Sequence, residues 1–337
     1  MRYRHALLAA AAISGCLAIQ PANATLVITA AGAADGFSLS TFYSGDPSTF
    51  YGLLDFANGN AGQVIATSYA RGLLERLNDM DGQTPATVLG TVPVPAGAAY
   101  SVVTTPSGVY YGGNGSGYYK VNPTTLGTTL LTLSQVSGQN PTSYLGMWAN
   151  PVTGHLISSS YQGLLDIDPV SGAVHVITTT TGFDGVTVDP TGTIACGEIS
   201  GGVSCYQISG TNVSVKTFNG NGHAPDGTAF ITGSALNGDL IVNNNDGTVG
   251  LYDYATGVET IIASGGTRGD FVSPDLSNGT LFLASADQVE RLTLAGASIG
   301  CGTNCGGPGP TSAVPEPATL AVLGLGFVGL ACVRRRR

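Results

Sequence analysis

The chain has 337 residues, 50 of them glycine, and only 10% are charged, with acids outnumbering bases to a formal charge of −9. Abundant glycine with frequent valine, threonine and tyrosine is strand-and-turn composition and argues against a helical bundle. An acidic chain repels a phosphate backbone, so nucleic acid is excluded as a partner.

At the front, Arg2, Arg4 and His5 precede an apolar stretch from Ala6 to Ile19, and Ala22-Asn23-Ala24 offers a small-x-small cleavage site. This is signal-peptide grammar, with residues 1–24 removed and the mature chain beginning at Thr25. Ile13-Ser14-Gly15-Cys16 offers a rival reading, in which Cys16 becomes a lipidated N-terminus.

Residues 25–298 read as a repeat array. Gly62-Gln63-Val64-Ile65-Ala66-Thr67-Ser68-Tyr69 is echoed by Gly154-His155-Leu156-Ile157-Ser158-Ser159-Ser160-Tyr161, and the same strand-turn-strand rhythm restarts at Gly108, Gly192, Gly238 and Gly279. Spacing of about 40–45 residues is that of four-stranded propeller blades, so the sequence predicts an all-β propeller of six blades. The last repeat runs out after its third strand near Leu294, while Leu26–Thr29 or Phe37–Ser40 lies unassigned at the front. Pairing the two ends would close the ring and hide both edges. A seventh, degenerate blade before Asn60 and a pair of β-sandwiches are the alternatives. Leu73–Met80 has helix-like spacing, but its place in the repeat predicts a strand.

The inner strand of one repeat, Phe183-Asp184-Gly185-Val186-Thr187-Val188-Asp189-Pro190-Thr191-Gly192, resembles the signature of NHL-type, lyase-like and gluconolactonase-like propellers. Asp-Gly opens the strand there and Asp-Pro-x-Gly turns out of it; Asn150-Pro151 and Asp168-Pro169 echo the turn. The resemblance is strong over about ten residues, so it implies a fold and not an activity.

Asp184, Asp226 and Asp270 take corresponding places at the heads of three successive inner strands, where side chains face the channel. Three converging carboxylates suit calcium, an oxygen-seeking cation, with Asn150 or Asn243 to Asn245 as neutral donors. Alternatively each Asp caps a turn through its own backbone. His223, three residues before Asp226, is the natural general base of any catalysis. No basic residue is evident beside the three acids. Asp79-Met80-Asp81-Gly82 and Asn243–Gly247 faintly suggest calcium loops but lie where the repeat needs hairpin turns. Gly324-Leu325-Gly326-Phe327-Val328-Gly329 fits a dinucleotide pattern only by letter, because it sits in an apolar run without the strand–helix setting. No Gly-x-Ser-x-Gly, His-Glu-x-x-His or phosphate loop occurs.

With Cys16 and Cys332 set aside, an exported chain keeps four cysteines, which predicts the disulfides Cys196–Cys205 and Cys301–Cys305. Zinc ligation lacks a Cys-x-x-Cys.

A Gly/Cys/Pro-rich linker over residues 299–313 leads to Val314-Pro315-Glu316-Pro317, an apolar run from Leu320 to Val333, and Arg334, Arg335, Arg336 and Arg337. The run is shorter than the roughly 20 residues of an unaided membrane helix, but the arginines would hold its end in the cytoplasm. Pro315, Glu316 and Pro317 with the basic end resemble the PEP-CTERM sorting signal. Membership implies transient anchoring in the inner membrane, recognition and cleavage by an exosortase, and a destination at the cell surface or in an exopolysaccharide matrix. An ordinary C-terminal anchor is the plainer alternative.

Between the two signals, six basic residues face twenty acids, a formal charge of −14, which suits solubility outside the cell and a taste for cations. The sequence thus predicts an exported binding propeller, with extracellular polysaccharide as a candidate partner; its tyrosines suit sugar stacking and equally suit strand packing. A propeller lyase or lactonase using a channel metal is the alternative.

Overall fold

The structure, a computed structural model, describes residues 25–45, 53–69, 71–94, 99–113, 115–286 and 288–301. Alternating apolar residues and left-handed glycine turns make short antiparallel strands that assemble into six sheets, each with a four-stranded blade and one carrying two further short strands. Blade 1 comprises Leu53–Asn58, Gln63–Ser68, Leu73–Asn78 and Gly90–Pro93; blade 2 Ala99–Thr105, Gly108–Gly113, Tyr118–Val121 and Thr128–Leu130; blade 3 Ser143–Ala149, Leu156–Ser160, Gly163–Ile167 and Val174–Thr178. Blade 4 comprises Val186–Val188, Ile194–Ile199, Gly202–Gln207 and Ser214–Asn219; blade 5 Pro225–Thr232, Leu240–Asn244, Val249–Tyr252 and Glu259–Ser264. Leu73–Asn78 is a strand, as its repeat position requires: pairing on both sides overrides its local spacing.

Blade 6 takes Gly269–Pro274, Leu281–Ser285 and Gln288–Leu294 from the end of the array and its outer strand, Phe37–Ser44, from the front. The ring therefore closes by pairing its two ends, and among the described residues there is no seventh blade. Val27–Ile28 adds instead to the outer edge of blade 5, and a five-residue helix, Ala30–Ala34, links the two N-terminal strands with Thr29 as its side-chain cap. Ser298–Ile299 pairs with Ile231 and Thr232 at the far end of the inner strand of blade 5. The packed body thus runs through Cys301, slightly beyond the expected boundary.

The closure seam is dense. Phe42 from the front packs edge-on against Phe56 of blade 1 and Phe282 of blade 6, with ring centroids 5.7 and 4.7 Å apart. Arg291 lies over Phe42 and Phe282 and donates to Asp79 and Asp81 at 2.9 Å each and to Asp275. One guanidinium thus ties blade 6 to blade 1.

Cys196 and Cys205, directly opposed on adjacent strands of blade 4, form a disulfide. Cys305 lies outside the described residues, as do the signal peptide and the sorting tail with Pro315, Glu316, Pro317 and Arg334 to Arg337. Among the described residues no helix is long and apolar enough to cross a membrane.

Candidate functional site

In blades 1, 2, 3, 5 and 6 the inner strand slips register near its start, between Leu53 and Phe56, Ala99 and Ser101, Ser143 and Met147, Pro225 and Gly227, and Gly269 and Val272. A bulge re-aims the side chain it carries. Aligned on these bulges and on the pairing of Val186 in blade 4, the ring positions are Leu54, Tyr100, Leu145, Asp184, Asp226 and Asp270. Half of the mouth is apolar and half is acidic. Five of the six, all but the deeper Asp226, line a cavity of about 190 Å³ together with Tyr69, Arg268 and Phe271.

The apolar side is walled by aromatic rings. Tyr69 packs on Tyr100 with centroids 4.9 Å apart, and Tyr144 meets Tyr161 edge-on at 5.1 Å. Tyr69 and Tyr161 sit in matching turns, the ends of the two echoed segments in the sequence.

The acidic side is tightly coupled. Asp184 and Asp226 lie within hydrogen-bond reach of one another, and Arg268 donates Nη2 to Asp226 Oδ2 at 2.9 Å and Nε to Asn245. Burial, then the charges of Asp270 and Asp184, push the Asp226 carboxyl up. Burial also raises Asp184, and burial followed by Asp184 raises Asp270 to about 7. A protonated Asp226 that accepts from Arg268 and donates to Asp184 satisfies all three groups.

Behind the mouth lies Glu198, 2% exposed, with neither carboxylate oxygen hydrogen-bonded. Burial lifts it to about 7, and the Thr228 hydroxyl and Gly185 amide face it. Its position explains the oddity. In the equivalent second-strand places, Thr67 donates to Tyr100 O at 2.9 Å, Ser159 to Phe183 O at 2.9 Å and Asn243 to Asp270 O at 2.8 Å, each bridging to the next inner strand. Glu198 stands where the others place a donor, so the protonated acid fits there and the carboxylate does not. Gly185 makes the room, since a Cβ there would lie 2.6 Å from Glu198 Oε2; at Gly227 one would lie 2.7 Å from Asp270 O. That close approach is why Asp is followed by Gly in these two strands.

Deeper still, Asp55 accepts from the amides of Phe56 and Val102 at 2.9 Å each and from Ser273. Burial raises it to about 7. It lies at a constriction with Gly185, Gly227 and Phe271, below which a second cavity of about 300 Å³ opens on the opposite face among Trp148, Pro106, Pro151 and Cys301.

Tested as a calcium cage, the mouth does not fit. Among the described residues no group of three or more His, Cys, Asp or Glu is arranged to hold a metal ion. Of the expected neutral donors, Asn245 gives its oxygen to Arg268, while Asn243 and Asn244 spend their amide nitrogens on Asp270 O, Ala284 O and Thr248. Asn150 lies at the other end of its strand, capping the amides of Val152 and Thr153 and donating to Gly192 O. Asp79 and Asp81 bind Arg291 rather than forming a calcium loop. His223 reaches Asp246 at 2.6 Å, and that hydrogen bond raises its pKa. Sequence reasoning missed Arg268, which sits two residues before Asp270 but reaches back to blade 5, and Glu198, the one acid among the bridging positions.

Fold and mouth together define a six-bladed propeller with an acidic, aromatic-walled channel opening. Residues 313–337 match the PEP-CTERM protein-sorting motif, a recognition signal for an exosortase, which makes the chain an exported protein anchored in a membrane before processing. The chain matches none of the curated protein sequences. Among solved structures it is similar to a gluconolactonase from Xanthomonas campestris, at 12% identity and TM-score 0.59 over 82% of this chain and 98% of that one. It is similar too to virginiamycin B lyase from Staphylococcus aureus, at 13% identity and TM-score 0.51 over 77% and 99% of the two chains. The Cps50 (Swd1) propeller domain of Myceliophteria thermophila follows at 11% identity and TM-score 0.50, covering 71% and 82%. At such identities the likeness establishes the fold alone.

Proposed function

We propose that this chain is a binding propeller of the cell surface or extracellular matrix whose mouth holds a sugar residue of an extracellular polysaccharide. The observation that carries this reading is the two-sided ring: Leu54, Tyr100 and Leu145 against Asp184 and Asp270, with Asp226 behind them and Tyr69 packed at a tilt on Tyr100. A sugar ring is two-sided in the same sense, since its C–H face packs on an aromatic ring and its hydroxyl rim bonds carboxyl groups. The cavity of about 190 Å³ is on the scale of one such ring. The test is calorimetric titration of the full chain in detergent against extracellular polysaccharides and their fragments. Tyr100→Ala should weaken binding at least about tenfold, the effect of losing a central aromatic anchor; a variant that binds as the unaltered chain does sinks the assignment.

A second reading, lyase or lactonase, is favoured by one feature. Burial and the neighbouring acids push the Asp226 carboxyl toward its protonated form beside Arg268 in a cleft, a pairing that can protonate a leaving group and stabilise an anion. Turnover of a lactone or an acidic polysaccharide that is lost in folded Asp226→Asn would replace the binding reading with this one.

A further inference from the structure

We infer that the sugar unit taken by this mouth is cationic, a residue bearing a free ammonium group, with its ring on Tyr100 and its ammonium against Asp184 and Asp270. The inference rests on the polysaccharide reading and adds the charge of the ligand. Three independent features carry it. The lining itself is uneven in charge, because Asp184 and Asp270 face the cavity while Arg268, its basic lining residue, is turned to Asp226 and Asn245. Glu198, a further acid on the same side of the mouth, is buried directly behind Gly185. The opposite wall is Tyr69 on Tyr100, and an ammonium beside an aromatic face is attracted by the ring quadrupole.

The titratable groups around the mouth are Asp184, Asp226, Asp270 and Arg268 at the rim, Glu198 and Asp55 behind them, and His223 with Asp246 in the neighbouring loops. A cation placed among acids whose pKa values burial has raised favours their ionised forms. Binding therefore releases protons, and affinity rises as pH increases from about 5 to about 7. Added salt weakens it.

The experiment compares three oligosaccharides on the full chain in detergent: a β-1,4-linked glucosamine oligomer, its fully N-acetylated form and a neutral glucose oligomer. Titrations in two buffers of different ionisation enthalpy count the protons released. At pH 7 the amine form should bind at least about tenfold more tightly than the acetylated form, the effect expected of one well-placed charge. Asp184→Asn should bring the ratio below about twofold, and the proton count needs no variant at all. Equal binding of all three oligomers without proton release overturns the cationic inference and leaves the polysaccharide reading standing. Binding of none, together with Tyr100→Ala indistinguishable from the unaltered chain across the wider polysaccharide panel, overturns that reading itself.

Discussion

Two regions of this propeller are built from the same materials, buried carboxyl groups, one arginine and aromatic rings, and they differ in how far the arginine offsets burial: at the seam it holds Asp275 down although burial and Asp275 raise Asp79. At the closure seam, Arg291 takes Asp79, Asp81 and Asp275 on its three nitrogens and stacks on Phe42 and Phe282. Burial opposes ionisation of Asp275, yet Arg291 and its hydrogen bonds hold it below the usual carboxylate range. At the mouth, Arg268 pairs with Asp226 and its charge also bears on Asp270, yet burial lifts Asp184, Glu198, Asp226 and Asp270 together. The difference is one of charge balance rather than residue type: acids gathered on a cation serve as mortar, whereas acids gathered without one keep binding capacity in reserve.

The largest effect should come from breaking the seam. Arg291→Met strands Asp79 and Asp275 in the interior, and chemical unfolding should show a loss of about 3–5 kcal/mol. A loss below about 1 kcal/mol would mean that the seam is not held by this ion cluster. Phe42→Ala removes the ring that joins the front strand to both blades; a loss of about 3 kcal/mol is expected in the same assay.

The mouth should respond in the reverse sense. Glu198 and Asp270 have folded pKa values near 7, above those of the free acids, so they favour the fold fully in acid and lose that contribution as pH rises through 7. Melting temperature should therefore fall between pH 5 and pH 8. Glu198→Gln supplies the donor that Asn243 provides in blade 5; at pH 8 it should raise the melting temperature by about 5 °C and flatten the pH dependence. A variant less stable than the parent at pH 8 would show that the carboxylate itself is needed. The smallest expected effect is that of calcium: millimolar ion or chelator should move the melting temperature by less than about 1 °C, because among the described residues no acid cluster is arranged to hold a metal ion.

Much of this fold was legible in the chain. Repeat spacing gave six blades, the unfinished last repeat and the orphan Phe37–Ser40 foretold the closure, and the Asp-Gly signature put Asp184 and Asp226 at strand heads. The site was legible only in part, because neighbours in a propeller mouth lie a whole repeat apart in sequence. Aligning repeats recovers the ring positions but not the loops before them, so Arg268, which leans 42 residues back to Asp226, escaped notice. Asn150 was misplaced for a related reason, since a turn at the exit of an inner strand opens on the face opposite its entry. Glu198 carried a usable signal: among Thr67, Gly112, Ser159, Asn243 and Ala284 it is the only acid.

The measurement that bears most directly on the contrast is a carboxyl-carbon NMR titration of the full chain in detergent, with Glu198, Asp270 and Asp275 assigned by single substitutions. Midpoints near 7 for Glu198 and Asp270, with Asp275 below 3.8, are what the account predicts. Ordinary carboxylate midpoints for all three, near 4, would contradict it and leave the mouth an acidic surface with nothing held in reserve.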